Sequence, residues 1–254
     1  TASGTTGTTA TANGGGGSGG KSNSSGSSSR AGGAGAPGKV TLTYTCPSAA
    51  MNLPIIEGFN FYSVAPACWT QQTVIGTNAI TFVTSSSNPT TTPFEGSYYV
   101  FWNSYSSTYA AGNSTRLVSP KYTTSTATNA TVTFNWMNEN NTTYSTGAYL
   151  TEGMTVQYSL DGTNWTDIQF FPRHDGTMTA GTSAWTAKSV ALPAGALGQS
   201  TVYFGFKFVS AYGDNCAMDN LKIQLNCAAP ADQPTSLNFT NVGTSQVTVN
   251  YTAA

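Results

Sequence analysis

Apolar and polar residues alternate over short runs along the middle of this chain, with the period of β-strands. In one run Val132, Phe134 and Trp136 occupy every second position, so they would share one face of a strand. The Asp161-Gly162 pair between two such runs is a strong signal for a hairpin turn. The pattern predicts strands at 40–45, 55–62, 79–84, 98–103, 116–118, 131–137, 155–160, 165–170, 185–190, 201–209 and 218–225.

Turn residues and long polar loops separate these strands, and helix formers are scarce. Thr, Val, Tyr and Phe recur instead, which are residues that favour strands. The chain is therefore predicted to be all-β, with one β-sandwich as its main body. The loops at 85–95, 104–115, 138–150 and 172–184 are the places where such a sandwich would carry its function.

Composition narrows the functional class. Charged residues make up 7% of the chain, against roughly 25% in an average soluble domain. The formal net charge is −1, so neither a basic stripe for nucleic acid nor a polybasic membrane patch is expected. No run of about 18 apolar residues predicts a membrane span. The first residues lack the pattern of an export signal, so any such signal would have been removed or would lie upstream.

The chain is predicted to have three parts, 1–38, 39–227 and 228–254. The first part is almost wholly Thr, Ala, Gly, Ser and Asn. Such a segment cannot bury enough apolar surface to offset its ordering entropy, so it is expected to be a flexible arm or linker unless a partner holds it. The second part is the sandwich, and the third restarts as a new strand pair.

The four cysteines predict disulfides in an oxidising compartment. They lie at positions 46, 68, 216 and 227. None forms a Cys-x-x-Cys pair, and the only histidine, His174, is distant in sequence, so a zinc site is not expected. If the first and last strands of the sandwich pair antiparallel, the nesting favours Cys68–Cys216 and Cys46–Cys227, and a Cys46–Cys68 bridge would contradict that adjacency. The alternative is that the cysteines are free, buried and apolar.

Several short motifs follow one another in a characteristic order. They are residues 57–60, 66–69, 94–101, 116–120, 156–166 and 213–223. Over about residues 54–226 this order resembles the MAM-like, cleaved-adhesin-type jelly-roll domains of secreted bacterial surface adhesins. The resemblance implies a concanavalin-like jelly roll and an extracellular, cell-surface adhesion module, without catalysis, in a larger protein. Its partner would be a glycan or a protein.

The tail carries a second resemblance. Residues 234–252 are similar to the first two strands of a fibronectin type III domain, with Tyr251 where that family usually has its core tryptophan. Two strands do not form a stable sandwich alone. The tail is therefore expected to begin a further domain or, alternatively, to complete the sheet of a neighbouring molecule.

A calcium site is implied where the last strand of a jelly roll returns beside the first. In the resembling family a cation is held there by an acid of the opening strand and the acid of the final strand. Asp219 matches the latter, whereas Asn60 stands where the opening acid is expected and Glu57 could replace it, with Glu95 arriving from a loop. Alternatively, Asp219 and Asp214 only accept hydrogen bonds from turn amides.

The aromatic residues suggest a binding face for a carbohydrate. Most tryptophans are explained by strand positions, and Trp165 by the hairpin turn before it. Tyr105, Tyr109 and Tyr144 lie in long polar loops and are therefore the better candidates for contact with a ligand.

An enzyme is not expected. The Glu-x-Asp-x-x-Glu strand pattern of concanavalin-like glycosidases is absent, and His174-Asp175 has no nucleophile motif beside it. The rival to an adhesion module is a structural subunit of an extracellular filament. In that case copies would exchange strands near the chain ends, at 40–44 and 246–251.

Overall fold

The structure is a computed structural model. It describes residues 6, 8–11, 15–20, 30–38, 45–60, 63–106 and 111–225, and the backbone of 235–240 and 248–252. The chain divides into two compact units, Thr1–Thr45 and Cys46–Ala254.

The described residues form fifteen strands and two short 3-10 helices. The strands are β1 Met51–Asn52, β2 Ile55–Glu57, β3 Thr70–Ile75, β4 Thr81–Val83, β5 Tyr99–Trp102, β6 Ser114–Val118, β7 Tyr122–Thr123, β8 Ala130–Glu139, β9 Gly153–Ser159, β10 Thr166–Pro172, β11 Ser183–Ala191, β12 Tyr203–Val209, β13 Cys216–Leu225, β14 Thr235–Thr240 and β15 Thr248–Thr252. The 3-10 helices are Gly147–Thr151 and Ala194–Ala196. Among the residues that the structure describes, no helix is long and apolar enough to cross a membrane.

Two antiparallel sheets form a β-sandwich, which confirms the predicted all-β class. One is a five-stranded sheet in the order β10-β9-β12-β6-β3. The other is a six-stranded sheet in the order β11-β8-β13-β5-β4, with β2 also paired to β13. Glu57 of β2 lies opposite Leu221 of β13, so the strands predicted at 55–62 and 218–225 are neighbours, as expected for the opening and closing strands of the sandwich.

Large aromatic side chains fill the space between the sheets. Val132, Phe134 and Trp136 are all buried in the core, which confirms that they share a face of β8. The ring centroid of Phe208 on β12 lies 6.1 Å from that of Trp102 and 6.2 Å from that of Trp136. Phe208 therefore joins the two sheets at the centre of the core.

The strand predictions miss the two-residue strands β1 and β7, and they fail at two longer segments near the start of the sandwich. The run predicted at 55–62 ends as a strand at Glu57, because Phe59 has a φ of 53° and so leaves the extended region. β3 is absent from the predicted strands. Its sequence, Thr-Gln-Gln-Thr-Val-Ile, is almost entirely exposed at a sheet edge, so no buried face imposes an alternating pattern on it.

Both predicted disulfides, Cys68–Cys216 and Cys46–Cys227, are wrong. Cys46 bonds to Cys68 instead, and Cys216 is a free, buried thiol, while Cys227 lies outside the described residues. After β2 the chain crosses to the five-stranded sheet, so Cys68 leads into β3, whereas Cys216 begins β13 in the other sheet. The pairing of β2 with β13 is present nevertheless, because the crossing occurs only after β2 has ended.

The described residues of the first unit have an internal order that their composition did not predict. Backbone N–H groups of Ala10, Ser18, Gly33 and Ala36 donate to the carbonyls of Ala34, Thr8, Ser18 and Gly15, at 2.8–3.0 Å. A Cβ on Gly17 would collide with the backbone of Gly33, and a Cβ on Gly33 with that of Thr8. Glycine is therefore required where these segments meet.

The tail contains the predicted strand pair, since β14 and β15 are antiparallel neighbours. The fibronectin type III resemblance stays a prediction. So does the filament hypothesis, for which residues 40–44 lie outside the described residues.

Candidate functional site

Three of the four residues predicted to hold calcium, Asn60, Glu95 and Asp219, are brought close together, and the fourth, Glu57, lies on β2, which pairs with β13. A carboxylate oxygen of Asp219 accepts from the backbone N–H groups of Phe94, at 2.9 Å, and Glu95, at 3.2 Å. Glu57 accepts from the N–H of Phe59. Asn60 accepts from the N–H of Ser97.

Glu95 and Asn60 both approach Gly58. A Cβ on that glycine would lie 2.5 Å from the amide nitrogen of Asn60 and 2.7 Å from a carboxylate oxygen of Glu95. Burial raises the pKa of Asp219 to about 6; three backbone N–H groups lower it, and the nearby Glu95 raises it. Burial also raises the pKa of Glu57. Within the described residues none of these three carboxylates has a cationic side chain at ion-pair distance.

This chemistry fits a hard cation in part. All the atoms that could coordinate a metal ion are oxygens, the kind of ligand that calcium prefers. The negative charge of the carboxylates is not neutralised by a neighbouring cationic side chain among the described residues. Among the described residues, however, no three acidic, histidine or cysteine side chains converge as metal ligands. An ion here would need the amide oxygen of Asn60 and backbone carbonyls as well as carboxylates. The alternative role for Asp219, acceptance from turn amides, is observed directly.

A second feature is a cluster of tyrosines on the loops at one end of the sandwich. The rings of Tyr105 and Tyr144 contact each other edge to face, with centroids 6.2 Å apart. The ring of Tyr149 meets Tyr144 in the same way at 5.1 Å. Tyr105 and Tyr144, two of the three predicted ligand-binding residues, are thus brought together. The third, Tyr109, lies outside the described residues.

Tyr105 and Tyr144 line a cleft of about 560 Å³, which we call the tyrosine cleft. Its other lining residues are Ser85, Ser86, Ser87, Asn88, Phe101, Asn103, Ser106, Tyr212 and Asn215. No charged side chain is among them. Tyr105 and Tyr212 are 42% and 43% exposed, so two aromatic surfaces face solvent beside a wall of hydroxyl and amide groups.

A buried carboxylate fixes two of the loops that carry these tyrosines. One oxygen of Glu152 accepts from the hydroxyl of Ser104, the residue before Tyr105. The same oxygen accepts from the N–H groups of Ala211 and Gly213, both at 3.1 Å, on either side of Tyr212. Burial raises the pKa of Glu152 to about 7, and these hydrogen bonds lower it.

Arg173 extends this arrangement to the third loop. Its guanidinium pairs with Glu152 and Glu139, and all three side chains are between 0 and 3% exposed. A further N–H of Arg173 donates to the backbone carbonyl of Tyr144 at 2.5 Å. One buried ion cluster, Glu139–Arg173–Glu152, therefore positions the loops of Tyr105, Tyr144 and Tyr212.

Asn215 adds a second link beneath the cleft. Its side-chain oxygen accepts from the N–H groups of Ser104 and Tyr105, at 2.9 and 3.0 Å. Its side-chain nitrogen donates to the carbonyl of Ser87 at 2.8 Å. The loop before β5 and the loop after it are thus tied to the start of β13.

His174 and Asp175 make separate contacts with neighbouring strands. Its Nδ1 lies 3.1 Å from the carbonyl oxygen of Glu139. Asp175 accepts from Lys188, at 3.0 Å, and from Asn138, at 2.5 Å. Both residues thus belong to contacts that hold the loop between β10 and β11.

No protein-family model matches the chain, and no curated protein matches its sequence. Among solved structures, the chain is similar to the K1 cleaved adhesin domain of Lys-gingipain from Porphyromonas gingivalis W83. The identity is 18%, over 69% of this chain and 99% of that domain, with a TM-score of 0.49. The K2 cleaved adhesin domain of Lys-gingipain gives 18% identity over 68% of this chain and 98% of that domain, with a TM-score of 0.48. A xylan-binding domain from Paenibacillus barcinonensis gives 9% identity over 72% and 100%, with a TM-score of 0.41. At these identities the likeness concerns the fold alone.

Proposed function

We propose that this chain is a non-catalytic, extracellular binding module that holds a neutral glycan in the tyrosine cleft. The observation that carries the proposal is the buried Glu139–Arg173–Glu152 cluster. It contacts all three loops from which the cleft tyrosines project. A cleft whose walls are held from below loses little conformational entropy on binding, which favours recognition of a weakly interacting ligand.

The chemistry of the lining favours a sugar. Aromatic faces such as those of Tyr105 and Tyr212 present apolar surface with a polar hydroxyl at one end. Sugar rings have the matching combination of apolar C–H faces and hydroxyl rims. Ser85, Asn88 and Asn103 line the same cleft and supply hydroxyl and amide groups that both donate and accept. Since no lining side chain is charged, a neutral glycan fits better than an acidic one.

An extracellular location is part of the proposal. The Cys46–Cys68 disulfide suits an oxidising compartment. Few charges and a surface rich in Thr, Ser and Asn are consistent with such a module. The sequence resemblance adds adhesion at the surface of a larger secreted protein as the finer proposal.

Alanine at Tyr105 or Tyr144 should weaken glycan binding at least tenfold, because each removes an aromatic wall of the cleft. The measurement is a screen of neutral xylo-, cello-, galacto- and manno-oligosaccharides, followed by titration calorimetry with the best binder. Tyr203→Ala is the matched control. Tyr203 begins β12, whereas the cleft lies beyond the last residue of that strand. If no neutral oligosaccharide binds, or if the two cleft variants bind like the wild type, the proposed function is wrong.

We also propose that calcium binds at Glu57, Asn60, Glu95 and Asp219 and joins the first and last strands. Calcium at a hundredfold excess over its Kd should then stabilise the fold by about 2.7 kcal/mol. The difference between the melting temperatures in calcium and in chelator measures this effect, and Asp219→Asn should abolish it. Asp161→Asn, in the exposed hairpin turn, is the control. Equal melting temperatures of the wild type in calcium and in chelator would remove the site.

A further inference from the structure

A second candidate binding surface lies on the outer face of the five-stranded sheet. It is an open trough of about 1000 Å³, which we call the sheet trough. Its lining includes Gln72, Arg116, Gln157, Trp165, Asp167 and Lys207. Register places it away from the tyrosine cleft. The cleft lies beyond Val209 of β12, whereas the turn that carries Trp165 lies beside the other end of that strand.

The centre of the trough is a glycine on which two large side chains lie. A Cβ on Gly205 would be 2.6 Å from the ring of Trp165 and 2.8 Å from Cδ of Arg116. The guanidinium carbon of Arg116 is 4.4 Å from the centroid of the Trp165 ring, which is within the range of a cation–π contact. The bare strand at Gly205 thus lets Trp165 lie against the sheet. Trp165 is therefore an outer-face residue and not only a turn residue.

Side-chain hydrogen bonds fix the polar groups around this stack. Arg116 donates to Gln157 at 2.6 Å and to Gln72 at 2.8 Å. Gln157 donates in turn to Asp167. Gln72 donates to the carbonyl of Gly162 in the hairpin turn, at 3.1 Å. These bonds connect side chains from four strands and hold Arg116 in one orientation.

The charge of the trough differs from that of the tyrosine cleft. It contains two cations, Arg116 and Lys207, and one carboxylate, Asp167. Within the described residues Lys207 has no carboxylate at ion-pair distance. An anionic ligand is therefore favoured, and the half-buried Trp165 ring favours one with a flat apolar face.

We propose that the sheet trough binds an acidic polysaccharide, with a uronate carboxylate at Lys207 and a sugar ring against Trp165. An open trough across a sheet suits a chain that extends beyond both of its ends, whereas a monosaccharide would leave most of its length empty. This site is independent of the proposed neutral-glycan site, because it uses other residues and another class of sugar.

The test is titration calorimetry in chelator with polygalacturonate, alginate and hyaluronate, at low and high salt. Methyl-esterified polygalacturonate is the matched neutral ligand. We expect at least one acidic polymer to bind and its neutral form to bind at least tenfold more weakly. Lys207→Gln should weaken binding about tenfold, and Lys207→Arg should restore most of it.

Lys222→Gln, a lysine on the six-stranded sheet, is the control for net charge and should bind like the wild type. Trp165→Phe should weaken binding with a melting temperature near that of the wild type. Failure of all three acidic polymers to bind would overturn the proposal. So would equal binding of the esterified polymer, an unchanged affinity in Lys207→Gln, or equally tight binding of duplex DNA. Loss of binding in Tyr105→Ala would assign the acidic glycan to the tyrosine cleft and also overturn it.

Discussion

Replacing Arg173 with methionine should lower the free energy of unfolding by about 3–5 kcal/mol, the usual cost of removing one partner from a buried ion pair. Arg173 is fully buried between Glu139 and Glu152. Methionine fills much of the volume but supplies no N–H donor. Two carboxylates are then left without their counter-ion in a dry environment, and the carbonyl of Tyr144 loses its donor. Urea denaturation followed by tryptophan fluorescence measures the loss.

The pH dependence of this loss identifies its cause. Burial raises the pKa of Glu152 to about 7, above its value in the unfolded chain. The stability that the protonated form contributes is complete below the unfolded pKa and disappears as the pH rises through 7. Removing Arg173 takes away the cation that favours the ionised form of Glu152. The variant should therefore lose more at pH 8, where this carboxyl is ionised, than at pH 5, where it is protonated in both proteins. Lys188→Met is the control, because the partly exposed Lys188–Asp175 pair should contribute less than about 1 kcal/mol. A loss in Arg173→Met as small as in that control would contradict the role of the cluster.

Phe208→Ala should also destabilise the sandwich by about 3–5 kcal/mol, the range measured when a buried phenylalanine is truncated. Its ring contacts Trp102 on β5 and Trp136 on β8, which both belong to the six-stranded sheet. Both tryptophans are fully buried, and each lies on a paired strand of the six-stranded sheet, which limits how far it can shift into the space. The cavity would therefore stay largely open. Thermal and urea unfolding measure the change.

Phe170→Ala is the matched control for this substitution. Phe170 belongs to the same sheet but is 39% exposed, so its loss should cost no more than about 1 kcal/mol. Equal losses in the two variants would show that the core is less tightly packed around Phe208 than these contacts indicate.

Prediction from the sequence succeeded where the signal was local. The shared face of Val132, Phe134 and Trp136 on β8 follows from alternation, because every second of these residues enters the core. Tyr105 and Tyr144 lie in long polar loops, and the structure brings their rings into contact. Their role in ligand binding stays a prediction. Tyr212, between Ala211 and Gly213, could have been found in the same way, since an aromatic residue in a glycine-containing turn has little core to enter.

What the sequence could not show is the cluster beneath those tyrosines. Glu152 and Arg173 lie 21 positions apart, and Glu152 also bonds Ser104, 48 positions away. Neither residue lies in an alternating apolar pattern that would mark it as buried. A charged residue in a loop is normally expected to be exposed. The disulfide prediction failed for a related reason. It was based on strand adjacency, but the chain crosses from one sheet to the other before Cys68. No residue pattern in the sequence indicates this crossing.

The glycine contacts in the first unit have a thermodynamic consequence. Segments joined through backbone amides, with Gly17 and Gly33 at their contacts, expose little hydrocarbon when they separate. The heat capacity of unfolding reflects mainly apolar hydration, at about 12–15 cal/mol/K per residue in ordinary domains. When these segments melt, the heat capacity should increase by much less than this per residue. Their free energy of unfolding should therefore depend almost linearly on temperature. An element of this kind would resist cold, which weakens hydrophobic cores, and would yield to solvents that compete for amide hydrogen bonds.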